Sequence, residues 1–169
     1  MSFTQIIWGE EVTRGMRESV SRGFYLSSKA PYGYRKIRVK DGVKERTKLE
    51  IDPSQSQMVI SIFNDILSGK GLIEIVRELN RKGIVSPKGR GWNKTGLYAI
   101  VHNEIYTGTF VWGRHSKRGN PPLRAENVFP ALISKEVFDR VQHLMGGRAP
   151  MKVHPRRAAS RFLLSGLAV

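Results

Sequence analysis

The sequence predicts an α+β fold, a helix-turn-helix-like bundle of short helices with small β-hairpins, preceded by a further helix. Three observations carry this. Apolar residues recur at helical spacing in several short segments, each bounded by a glycine or an N-capping side chain. Two short stretches that read as strands flank the turn dipeptide Asp41-Gly42. The bundle is entered through a basic loop, in a chain whose 29 lysines and arginines against 14 aspartates and glutamates leave a net charge of +15. Such a surplus points to a polyanionic partner, of which nucleic acid is the commonest.

Taken in order, residues 5–22 read as a helix, with Val12, Met16 and Val20 at four-residue spacing and Gly23 as its stop. The stripe is narrow, as for a helix standing partly clear of the body. Ser27 to Gly33, with Pro31 inside, reads as an extended linker. Strands are expected over 34–39 and 46–51, with a connection longer than two residues and an open register. Asp52 as N-cap and Pro53 at the first helical position open a helix whose buried stripe is Val59, Ile62, Phe63 and Ile66. Gly69 and Gly71 close it. Leu72, Ile75, Val76 and Leu79 mark a second helix, ended by Gly83. A third starts at Asn93 or Thr95 and runs to about Asn103, with Leu97, Ile100 and Val101 inward. The connection Ile84–Gly91 is longer than a standard helix-turn-helix turn, so the motif is a variant. Residues 107–113 read as a strand, 114–126 as a loop, and Val128–Ala131 as an edge strand at best, because of Pro130. Ser134 caps a last helix burying Val137, Phe138, Val141 and Leu144, closed by Gly146-Gly147. The basic tail to Arg161 has no periodicity, and the apolar end Phe162–Val169 suggests the edge of another unit.

At 169 residues, 40% of them hydrophobic, the chain builds a real core and is no disordered tail. It has no cysteine, which excludes disulfides, thiolate zinc sites and iron–sulfur clusters. No apolar run reaches the roughly 18 residues of a membrane span, and the start lacks the features of a signal peptide. A cytoplasmic protein is expected.

The charge is clustered. Residues 29–48 hold eight basic and two acidic side chains, 49–80 two basic and five acidic, 81–94 five basic and no acidic. Three more cations lie in 114–118, and the tail from Gly147 has Arg148, Lys152, Arg156, Arg157 and Arg161 without an acid. One such cluster describes a solvated face. Four, separated by balanced or acidic segments, suit core helices alternating with DNA-facing loops.

No catalytic constellation is evident. No serine sits in a Gly-x-Ser-x-Gly or Ser-x-x-Lys setting. His102, His115, His143 and His154 lack ligand spacing, and Glu10-Glu11 point to different sides of a helix. Gly69-Lys70-Gly71 lacks the spacing of a phosphate loop. His115-Ser116-Lys117-Arg118 carries the His-x-x-Arg fragment of tyrosine recombinases, but no tyrosine follows Tyr106. Catalytic residues, metal ligands and cofactors are therefore all expected to be absent.

The nucleic-acid signals are more specific. On the third helix, Thr95, Tyr98, Ala99 and His102 lie opposite the buried side, with Lys94 at the amino end. Such a face enters a major groove about 12 Å wide. Lys94 and Thr95 reach phosphates or base edges, Tyr98 a phosphate or a thymine methyl, and His102 a phosphate. Pro87-Lys88-Gly89-Arg90-Gly91 lets backbone approach DNA and offers cations to a groove of strong negative potential. The linker with Lys29, the start of the hairpin with Arg35, and the tail with Arg148, Arg156 and Arg157 extend the basic surface as arms. Trp92 and Trp112 read as core residues. Two other readings are a helix-turn-helix transcription regulator without recombinase activity and a basic RNA-binding protein. Phe110 and Trp112 alone are a poor base-stacking platform for the latter.

Several segments together resemble the DNA-binding "recombinase" domain of large serine recombinases, the integrases of the resolvase/invertase superfamily. They are Arg14–Glu18 with Gly23-Phe24-Tyr25, Ala30-Pro31-Tyr32-Gly33-Tyr34, Ile75–Asn80 with Gly83-Ile84, Trp92, Ile100, Asn103, Tyr106-Thr107-Gly108 and Phe162–Gly166. The resemblance spans nearly the whole chain. It implies that residues 1–25 end a linker helix leaving a catalytic domain absent here, 26–147 form the recombinase DNA-binding domain, and 148–169 lead toward an absent zinc ribbon. It implies sequence-specific double-stranded DNA binding at an attachment half-site. The implied parent is a homo-oligomeric, bacterial or phage, nucleoid-associated enzyme whose serine nucleophile lies outside this piece.

Overall fold

A computed structural model describes residues 13–113 and 121–147. The expected helix start over 5–12, the stretch with His115 and Arg118, the tail cations Arg148, Arg156 and Arg157, and the apolar end from Phe162 lie outside the described residues. The elements are α1 (helical over 13–21), β1 (Tyr34–Asp41), β2 (Lys44–Ile51), α2 (Pro53–Leu67), α3 (Leu72–Arg81), α4 (Lys94–Val101), a 3-10 turn (Glu104–Thr107), β3 (Phe110–Trp112), β4 (Leu123–Ala125) and α5 (Lys135–Gly147). The α+β expectation holds, with helices beside two separate two-stranded sheets, β1–β2 and β3–β4, both antiparallel.

Helix boundaries follow local chemistry. The Asp52 carboxylate accepts from the Ser54 amide at 2.9 Å and from its hydroxyl at 2.6 Å. These bonds, the hydroxyl's first, hold the Asp52 carboxyl below the usual carboxylate range. Three helices end alike. The glycine just past the end is left-handed (Gly23 φ 77°, Gly69 φ 102°, Gly83 φ 67°). The next residue's N–H then reaches back five residues, as in Phe24 N–H to Ser19 O, Lys70 to Asp65 and Ile84 to Leu79. This pairing satisfies the last helical carbonyls.

The expected stripes are buried where α2, α3 and α4 meet, at Val59, Ile62, Phe63, Ile66, Leu72, Ile75, Leu79, Leu97, Ile100 and Val101. Val76 is half-buried against the same core. Phe63 makes edge contacts with Tyr106 and lies against Phe138 of α5, with centroids 6.1 and 6.2 Å away. On α5, Phe138 and Val141 are buried, whereas Val137 and Leu144 are half-buried.

Several expectations are corrected. Met16 is exposed, because α1 meets the body at its C-terminal end through Val20, Phe24 and Tyr25. The hairpin strands are longer than expected and close with a two-residue turn, Gly42-Val43, between the paired Asp41 and Lys44. Gly42 takes φ 62° and Val43 a negative φ, the pattern of a turn whose twist matches the strands. The strand over 107–113 shrinks to Phe110–Trp112, since the 3-10 turn consumes Thr107 and Gly108 is left-handed at φ 82°. Its partner, β4, lies inside the expected loop. Val128–Ala131 is not a strand, because Val128 and Phe129 N–H groups both turn onto the Gly108 carbonyl. Gly146 belongs to α5 and does not close it.

Candidate nucleic-acid interface

With eight residues, α4 is too short to hold by itself, and side chains fix both of its ends. The Asn93 side chain accepts from the Gly96 N–H at 2.7 Å. At the other end Gln142 of α5 donates Nε2–H to the Val101 carbonyl at 2.8 Å. Leu97, Ile100 and Val101 face the core, which leaves Lys94, Thr95, Tyr98 and Ala99 outward.

The loop before α4 is equally constrained. The Gly89 N–H bonds to Ser86 O at 2.9 Å and the Ser86 N–H to Arg90 O at 3.3 Å, which folds Ser86–Arg90 into a tight turn. Asn80 of α3 clamps the backbone of Trp92, accepting its N–H at 2.7 Å and donating to its carbonyl at 3.0 Å. The Trp92 indole N–H donates to Ile84 O at 2.9 Å, and its ring is 5% exposed, in the core as expected. The role of Asn80 was missed; its only signal in the sequence is an amide in the last turn of an amphipathic helix.

Opposite this loop runs the segment 26–33. The Tyr25 hydroxyl donates to Lys29 O at 2.8 Å, the Tyr106 hydroxyl to Tyr32 O at 2.9 Å, and Lys36 Nζ to Ser28 O at 2.6 Å. Burial raises the Tyr25 and Tyr106 hydroxyls above their ordinary ionisation range, so both stay donors. The ring of Tyr32 meets Trp92 edge-on at 5.4 Å. Gly33 adopts φ 90°, where a Cβ would stand 2.9 Å from Val59 Cγ2 and 3.1 Å from Leu132 Cδ1, so only glycine lets the segment lie this close to α2.

Between the segment, the loop and α4 lies a cleft of about 600 Å³. Ala30–Tyr32 form one wall, Ser86–Lys88 with Arg90 another, and Thr95 and Ala99 a third. Among the described residues no carboxylate lines it. The surrounding cations contrast with the arginines paired on the hairpin. There Arg35 pairs with Glu50 at 2.8 Å, Arg38 with Glu45 at 3.0 Å, and Arg22 with Asp41 at 2.5 Å. Lys29, Lys88, Arg90 and Lys94 have no ion pair among the described residues.

Of the residues singled out from sequence, Lys88, Arg90 and Thr95 therefore share one cleft. Lys94 is exposed at the start of α4, and Lys29 is exposed beside Ala30 on the rim. Tyr98 and His102 continue the outward side of α4, with their rings stacked. Arg35 lies on β1, paired with Glu50, and does not line the cleft. Arg148, Arg156 and Arg157 lie outside the described residues. Among the described residues no helix is long and apolar enough to cross a membrane, and no three of His, Asp and Glu gather as a metal site.

Solved structures share this fold, among them these two. One, a crystal structure of an LSR–DNA complex (LSR, large serine recombinase), has a TM-score of 0.59 and 17% identity over 81% of this chain. The other, from work on the sequence requirements of the Listeria innocua prophage attP site, has a TM-score of 0.62 and 18% identity over 83% of this chain. The matches cover 38% and 54% of those chains, so this chain spans about half or less of their length. The family model named Recombinase matches residues 53–148, from the first residue of α2 through α5 and so through the loop and α4. That is more than half of the sequence, and the chain belongs to the Recombinase family.

Proposed function

We infer that this chain is the DNA-binding part of a site-specific serine recombinase, and that it grips one half of an attachment site on double-stranded DNA. The helices α3 and α4 act as a helix-turn-helix variant. Helix α4 enters the major groove with Thr95 and Tyr98 toward the base edges, while Lys88, Arg90 and Lys94 hold phosphates and the segment with Lys29 follows the backbone. The observation that carries this reading is a cleft lined by Lys88 and Arg90 and, among the described residues, by no carboxylate, with neither cation in an ion pair there, whereas the hairpin arginines are paired with acids. Lys88 and Arg90 line one cleft, with Lys94 and Lys29 next to its lining residues in sequence; cations so gathered repel one another, and a polyanion relieves that repulsion. The DNA complex among the structural relatives supports the same reading.

In this reading residues 1–25 end the helix arriving from a catalytic domain, 26–147 are the DNA-binding domain, and 148–169 are a basic link toward a zinc ribbon. The nucleophilic serine belongs to the catalytic domain of a homo-oligomeric parent, where it attacks a phosphodiester and is held as a phosphoserine ester during strand exchange. This piece supplies recognition, in the nucleoid of a bacterium or on phage DNA.

Selecting duplexes from a random pool with the whole chain identifies a site, and fluorescence anisotropy then measures affinity against salt. Contact with ~6–10 phosphates gives a slope of log affinity against log salt of about −5 to −9. Lys88→Ala and Arg90→Ala each weaken binding and reduce that slope by about 1, whereas Arg38→Ala, paired with Glu45 on β1, leaves it unchanged. Equal affinity for all three variants and the unaltered chain sinks the placement of the cleft on DNA.

A further inference from the structure

His102 follows Tyr98 by one helical turn, and its ring lies face to face on the phenol, with centroids 3.8 Å apart and planes 23° apart. Its Nδ1 is 3.0 Å from the backbone carbonyl oxygen of Tyr98. A carbonyl oxygen only accepts, so Nδ1 carries the hydrogen, and in the neutral imidazole Nε2 is left as a bare acceptor. Nε2 has no partner among the described residues, and it is not buried, since Arg46 Nε is the sole buried side-chain atom among them without a partner. Stacking on one side and a hydrogen bond at the opposite ring nitrogen hold the imidazole in one orientation, so the Nε2 lone pair has a fixed direction on the outward side of α4.

Resting on the reading that α4 lies in the major groove, we propose that His102 is a specificity-determining residue whose Nε2 accepts a hydrogen bond from an exocyclic base amine, N4 of cytosine or N6 of adenine. Those amines are the only donors on major-groove base edges; guanine N7 and O6 and thymine O4 are acceptors and face the Nε2 lone pair unfavourably. Phosphate oxygens are also pure acceptors, so an Nε2 without hydrogen suits a base amine and not the phosphate expected from sequence. The Tyr98 hydroxyl both donates and accepts and is permissive by comparison. The ring stack holds His102 in place, and His102 discriminates.

Two measurements test this. Nitrogen NMR of the unbound chain at pH 8 reads the tautomer, and the geometry requires hydrogen on Nδ1. Duplexes selected by the whole chain are then compared with those selected by His102→Lys, which only donates, and His102→Leu, which does neither. The unaltered chain enriches one position for cytosine or adenine. His102→Lys moves that position to guanine or thymine, and His102→Leu loses roughly tenfold discrimination there. A base analogue lacking the amine, purine for adenine or 2-pyrimidinone for cytosine, weakens the unaltered chain at that position and tells the two amines apart. An Nε2–H tautomer, or the same base preference in His102→Lys, overturns the proposal and leaves the DNA-binding reading standing. Absence of any duplex binding overturns both.

Discussion

Asn80 shows how much one side chain carries in this protein. Its amide satisfies both backbone groups of Trp92 and so closes the loop that presents Lys88 and Arg90. Replacing it with alanine leaves a donor and an acceptor without partners beside a buried indole. That loss is expected to cost about 1–3 kcal/mol, read as a lower denaturation midpoint with an unchanged slope. The same variant shifts Trp92 fluorescence toward solvent-exposed wavelengths and weakens DNA binding beyond what global stability accounts for, because the loop cations lose their setting. An Asn80→Ala variant with native fluorescence and native affinity would show that Trp92 holds the loop without the clamp. The cation pairs of the hairpin deserve no such weight, since exposed pairs contribute about 0–1 kcal/mol.

Helices were legible in the sequence because the signals that bound them are local. Asp52-Pro53, Asn93 and the glycines at 23, 69 and 83 act within a turn of their own positions, and the stripes of α2, α3 and α4 fall where the spacing puts them. The strands were less legible. Gly42-Val43 was a better turn than Asp41-Gly42, a difference of one residue that sets the whole β1–β2 register. The three-residue strands β3 and β4 depend on pairing across the chain, and nothing in Leu123–Ala125 announces a partner at Phe110–Trp112. The cleft was half legible: the basic loop and α4 were read together, but the wall Ala30–Tyr32 arrives through Tyr106 and Trp92, contacts distant in sequence. Glycine substitutions separate these kinds of element. Gly15 sits in the helical stretch 13–21 with nothing near its would-be Cβ, so Gly15→Ala stabilises by about 0.5–1 kcal/mol. Gly108 has φ 82°, and a Cβ there would stand 2.7 Å from the Phe129 carbonyl oxygen, a backbone atom with nowhere to go. Gly108→Ala therefore destabilises by more than about 1–2 kcal/mol. Thermal melts of the two variants moving in the same direction would refute the contrast.

The body as a whole is tied together by tyrosine hydroxyls. Tyr34, at the root of the hairpin, donates to the Pro130 carbonyl at 2.7 Å. Tyr106 stacks on Tyr34 at 6.0 Å and reaches across to the segment that walls the cleft. Both hydroxyls are displaced upward from the ordinary value of 10.0, and burial is the leading cause in each. A tyrosine that holds its proton more tightly folded than unfolded stabilises the fold fully below the unfolded value. Its contribution falls as pH rises past that value toward the folded one, because the unfolded chain then gains by ionising. The contribution of these tyrosines is accordingly flat through neutrality and declines above about pH 10, each adding at most about 1.4 kcal/mol per pH unit to the slope. The part of the ionisation signal near 295 nm that belongs to Tyr34, read as the difference between the unaltered chain and Tyr34→Phe, coincides with loss of the circular dichroism signal, since this buried phenolate forms on unfolding. Tyr34→Phe lowers stability at pH 7 through the abandoned Pro130 carbonyl, and it flattens the alkaline decline by one group. Were the phenols to ionise while the fold stayed intact, or the Tyr34→Phe decline to match the original, the hydroxyls would not be the ties that set the segment 26–33 against the loop and α4.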